Sequence, residues 1–235
     1  GNVTVERYMD PLASTYRYIA SPVEGVWKPD QFGNLYAYSQ TLGWYKHRSP
    51  MTIGAGYAGI VGSGAQITWS VTGTIDSDSY TWDNFPTEGW YLIGNPFPAA
   101  VSWASGEWTR TNMSTTIAIT DNHQTNYPTY FRYYDYLAGT APPAGGWGFS
   151  DIQNGVIAMG QAFWVYAGAG GSLTINQNAK TKDDGSFYRI GDKSVTTDQL
   201  TVNLDNGILA DQVFLKLHDE ATENFDFGFD LPKLW

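Results

Sequence analysis

The chain has 235 residues, a formal net charge of −10, 16% aromatic and 15% charged residues, 26 Gly, 11 Pro and no Cys. Thirteen Lys and Arg without a basic stripe exclude a nucleic-acid surface, and the lack of Cys excludes disulfides and thiolate metal sites. No apolar run approaches the ~20 residues that span a bilayer, so no membrane insertion is expected. Abundant aromatic residues, Gly and Pro with few charges are the composition of short strands joined by turns.

Gly1-Asn-Val-Thr-Val5 opens in mid-alternation, as at a processed end. Tyr16-Arg-Tyr-Ile-Ala-Ser-Pro-Val23 then places an aromatic strand before a Ser-Pro turn. A fuller version follows as Gly89-Trp-Tyr-Leu-Ile-Gly-Asn-Pro-Phe-Pro98. Other blocks recur in the same order. Trp27 falls near Trp103, Leu35-Tyr-Ala-Tyr38 matches Tyr130-Phe-Arg-Tyr133, and Gly43-Trp44 matches Gly146-Trp147. Ile53-Gly-Ala-Gly-Tyr-Ala58 matches Ile157-Ala-Met-Gly-Gln-Ala162, and Gln66-Ile-Thr-Trp69 matches Ser172-Leu-Thr-Ile175. These matches predict two tandem β repeats, 1–84 and 85–180, with one main insertion at 99–129.

Period-two alternation in the stretch 66–72, and the absence of any three-turn helical pattern, predict an all-β chain whose strands pack as an antiparallel sandwich. The Gly-rich stretches 54–64 and 145–155 read as hairpin geometry rather than a phosphate loop, because no Gly-x-x-x-x-Gly-Lys-Ser/Thr occurs. Beyond 180 the composition turns polar. There the runs 199–204 and 211–217, separated by Asp205-Asn-Gly207, predict a hairpin that begins a third β module, 181–235.

His47, His123 and His218 lack ligand spacing, and no Gly-x-Ser-x-Gly elbow is present. Glu88, Glu107 and Asp135 could meet in space as a hydrolytic site, but solvated loop carboxylates are the favoured account of each. The chain is therefore read as non-enzymatic. Aromatic residues in strands, such as Tyr18, Trp69 and Phe163, are expected in a core. Those in or beside the insertion, Trp103, Trp108, Tyr127 and Tyr134, read either as core residues or as candidates for stacking on sugar rings. Asp219, Glu223, Asp226 and Asp230 bring hard oxygen ligands into one short segment, which fits either an acidic turn or a calcium site. No other cofactor is expected.

Val3-Thr-Val-Glu-Arg-Tyr8, the two strand-turn blocks above, Met159-Gly-Gln-Ala-Phe-Trp-Val165 and Ala221-Thr-Glu-Asn-Phe-Asp-Phe-Gly-Phe-Asp230 resemble large cell-surface and secreted proteins of Bacteroidota. In those proteins such a β-rich region precedes a C-terminal sorting domain read by the type IX secretion system. The resemblance implies export across the outer membrane and a role at the cell surface or in the medium. With the tandem strand repeats and the lack of a catalytic constellation, it leads to the expectation of a structural or adhesive role, as stalk, fibre or adhesin segment, with other domains of the same polypeptide, other copies of the chain or surface glycans as partners. Two alternatives stand beside that role: a carbohydrate-binding module using the insertion aromatics, and a filament subunit.

Overall fold

The computed structural model describes residues 1–9, 16–28, 32–61, 67–75, 78–121, 130–135, 155–182, 199–205 and 210–216. Among these the fold is all-β and antiparallel, as the alternation predicts, and no helix is long and apolar enough to cross a membrane. Strand β1 (Val3–Met9) pairs with β6 (Ile67–Gly73) in a two-stranded ribbon. Four strands, β2 (Tyr16–Ala20), β3 (Phe32–Ser39), β4 (Gly43–His47) and β5 (Gly56–Val61), form the first sheet in the order β2-β5-β3-β4.

The second sheet holds β7 (Ser79–Phe85), β8 (Gly89–Gly94), β10 (Trp108–Asp121), β11 (Tyr130–Asp135) and β13 (Ala162–Asn176). Its path is β11-β10-β13-β7, and the N-terminal half of β13 pairs with β8. A short pair, β9 (Val101–Ser102) with β12 (Val156–Ile157), lies beside it. The expected C-terminal hairpin forms from β14 (Gln199–Asp205) and β15 (Ala210–Lys216), with Asp205 opposite Ala210.

Strands β2, β3 and β5 of the first sheet and β8, β10 and β13 of the second divide their side chains between two cores. In β2, Tyr18 and Ala20 face the second sheet, whereas Ile19 joins Phe32, Leu35, Tyr57, Trp69 and Val71 in a core covered by the β1–β6 ribbon. In β13, Ala162, Trp164 and Tyr166 face the first sheet. The alternate residues Phe163, Val165 and Ala167 pack with Trp103, Trp108 and Ile117 in the third core. This layering explains why strands such as Ala162–Asn176 read as near-continuous apolar runs.

The two sheets are cross-linked through their backbones. The turn before β5 bonds to the end of β8, with Gly94 N–H donating to Gly54 O at 2.9 Å and Ala55 bridged to Ile93. In return the turn before β13 bonds to the end of β2, with Ala20 N–H donating to Gly160 O at 2.9 Å and Gln161 bridged to Ile19. Both turns close the same way: Ala55 N–H donates to Thr52 O and Gln161 N–H to Ala158 O, each at 3.2 Å. Gly54 and Gly160 have φ of 76° and 71°, a region that favours glycine.

The strand order is also common to both sheets, since β8-β13-β10-β11 repeats the connectivity of β2-β5-β3-β4. Superposing hydrogen-bond registers matches Ile93 with Ile19, Ile117 with Leu35, Tyr133 with Lys46 and Trp164 with Ala58. The offsets are thus 74 (93 − 19), 82 (117 − 35), 87 (133 − 46) and 106 (164 − 58). The largest step falls between β11 and β13, not at 99–129, which contains the whole of the 14-residue strand β10 inside the sheet. The expected limit at 84 also separates β7 from β13, to which β7 is hydrogen-bonded.

Candidate functional site

Three of the four aromatic candidates are core residues. Trp103 is 0% exposed, and its indole N–H donates to Thr115 O at 2.6 Å. The Trp108 ring lies 4.6 Å from it, is 6% exposed and donates to Ser102 O at 2.8 Å. The guanidinium of Arg110 covers the Trp103 face at 4.1 Å and donates to Trp103 O at 2.8 Å. Tyr134 is buried against Gly155, where an added Cβ would meet its ring at 2.6 Å. A sugar stacks on an open ring face, and these three rings have none, so the expected platform at Trp103, Trp108 and Tyr134 is corrected to architecture.

Tyr127, His123 and His218, and the calcium candidates Asp219, Glu223, Asp226 and Asp230, lie outside the described residues. Among the described residues no group of three or more His, Cys, Asp or Glu is placed to hold a metal ion. Glu88 accepts a hydrogen bond from Tyr166 Oη at 2.7 Å, and Asp135 accepts one from Thr115 Oγ1 at 2.9 Å. Glu107 sits in the turn before β10. Burial, with the Glu88 carboxylate beside it, pushes the Tyr166 phenol up to about 12. The His47 ring lies 4.7 Å from that of Tyr57, tilted by 52°, and burial raises the Tyr57 phenol above its ordinary value.

Open aromatic surface is found elsewhere. Tyr16, Trp44 and Tyr45 are about half exposed, and Trp44 packs on Tyr18, Tyr38 and Trp164 at 5.4–5.8 Å. Trp27 is 65% exposed, and among the described residues no ring packs against it. It borders a shallow depression of ≈ 330 Å³ between residues 25–28 and residues 70–72 of β6. Sequence comparison of the halves set Trp27 against Trp103, but the backbone bridge of Val26 to Met51 corresponds to that of Val101 to Ile157. Trp27 therefore matches Ser102, and this one-residue step turns its side chain to the opposite side.

Compared with known protein families, with curated proteins and with solved structures, the chain gives no significant match.

Proposed function

We propose that the chain is a non-catalytic structural or adhesive module of an extracellular or cell-surface bacterial protein, built from two copies of one β unit. The observation that carries this reading is the reciprocal cross-link, in which each unit's turn is hydrogen-bonded to the other unit's strand end. Such docking suits a segment that bears load between a surface and what it displays, because separating the units breaks backbone hydrogen bonds and opens a shared core. The three aromatic cores are in keeping with such a structural segment, as is the resemblance to Bacteroidota surface proteins.

The test is expression in a Bacteroidota host as a fusion ahead of a type IX sorting domain, followed by protease shaving of intact cells. Release of the module supports the reading; retention inside the cell counts against it. Turnover of a glycan or peptide by the purified chain in a broad substrate screen would remove the non-catalytic assignment.

A second reading, edge-to-edge assembly of copies, is favoured by β4. This strand forms one edge of the first sheet and exposes Trp44, Tyr45 and Lys46. Sedimentation at rising concentration tests it, and a strictly monomeric species throughout counts against it.

A further inference from the structure

We propose that Trp27 and the adjoining face of β6 form a binding site for a neutral, pyranose-containing oligosaccharide. This assignment is independent of the load-bearing role and of the buried aromatic residues near β10.

An exposed indole loses favourable burial unless something covers it. At the matching place in the second sheet the chain supplies its own cover. Ser102, the counterpart of Trp27, receives a hydrogen bond from the Trp108 indole, and Arg110 closes over the neighbouring Trp103 ring. Beside Trp27 lies the depression of ≈ 330 Å³. That volume lies at the small end of the ~300–1,000 Å³ typical of ligand sites, enough for one or two sugar rings.

The chemistry of the walls selects the ligand. Residues alternate along β6, so Trp69 and Val71 enter the core while Ser70 and Thr72 stay exposed. Their hydroxyls stand opposite Glu6 and Thr4 of β1, and Thr72 Oγ1 lies 2.8 Å from Thr4 Oγ1. The result is a flat aromatic face beside a row of groups that both donate and accept hydrogen bonds. A pyranose presents the complement: axial C–H bonds for the ring face and equatorial hydroxyls for the row.

Charge narrows the class. The ammonium of Lys28 is already held, donating to Phe32 O at 2.6 Å, and the chain carries a formal net charge of −10. A sulfated or uronic-acid polymer would meet the repulsion of that net charge, against which the described residues lining the depression set one cation, Lys28.

The experiment titrates the full chain by calorimetry with cellohexaose, chitohexaose, xylohexaose and mannohexaose, with polygalacturonate as the acidic control. Binding of at least one neutral hexamer is expected, weakened about tenfold or more in Trp27→Ala and held within about threefold in Trp27→Tyr, which keeps an aromatic face. Thr72→Val, which removes a hydroxyl from the row, weakens it severalfold. The unfolding midpoint of Trp27→Ala stays at the wild-type value, because the side chain has no ring partner among the described residues. The proposal is overturned if no neutral hexamer binds, if polygalacturonate binds instead, or if Trp27→Ala and Thr72→Val bind as well as wild type.

Discussion

Tyr166 shows how one side chain couples the two sheets to solvent. Its phenol keeps its proton in the folded protein up to about 12, against 10.0 in the unfolded chain. Between those values the folded state binds more protons than the unfolded one, so raising the pH favours unfolding. The contribution is fully present below pH 10 and is lost as pH rises through about 12. Tyr166→Phe is expected to flatten the dependence of melting temperature on pH across that window, and thermal melts of the two proteins at matched pH measure it.

Gly160 illustrates a different constraint. Its φ is 71°, and a Cβ there would lie 2.5 Å from Cζ2 of Trp69. Gly160→Ala should therefore cost about 2–4 kcal/mol, from left-handed strain and overpacking together. Urea titration followed by tryptophan fluorescence reads that loss.

Elements are where the two halves diverge. Both strand-turn blocks close on the same side-chain bond: Ser21 Oγ accepts from Val23 N–H at 3.3 Å, and Asn95 Oδ1 accepts from Phe97 N–H at 3.0 Å. Asn95 goes further, because its amide also donates to Ala99 O, Ile157 O and Ala158 O inside the core. Asn95→Ala leaves those carbonyls without that donor and should cost about 3 kcal/mol, whereas Ser21→Ala, a local turn, should cost about 1 kcal/mol. Equilibrium denaturation of the pair tests this ranking.

The strand-turn blocks were legible from sequence because aromatic alternation and an X-Pro turn are local signals. Strand β10 was not, since its register shifts at Met113, with Asn112 at φ 53°, break the period that a sequence pattern relies on. Apart from Trp103, the stretch 99–129 finds no counterpart among the repeated blocks and so reads as an insertion, with Trp103 and Trp108 among its candidate stacking residues. A burial signal was present in Thr115-Thr-Ile-Ala-Ile-Thr120, an apolar β-branched run that fits a strand covered on both faces.

At the scale of the molecule, the exchanged turns predict that 16–182 unfolds as one unit rather than as two halves. Hydrogen exchange on Gly160→Ala should show amides of β2 and β5 losing protection by the same factor as those of β8 and β13; loss confined to one sheet would contradict the cross-linked docking.

From the chain of residues alone one can read an all-β protein, the paired strand-turn blocks and the C-terminal hairpin, because alternation and turn chemistry act over a few residues. Which aromatic residues are covered is a matter of register and of what lies on the opposite sheet. Trp103 and Trp27 sit in similar sequence, yet one is 0% and the other 65% exposed. A one-residue difference in backbone pairing, and a long strand that brings Trp108 and Arg110 to one half alone, separate them. Burial of a ring depends on partners distant in sequence, so this difference emerges only once the sheets are folded together.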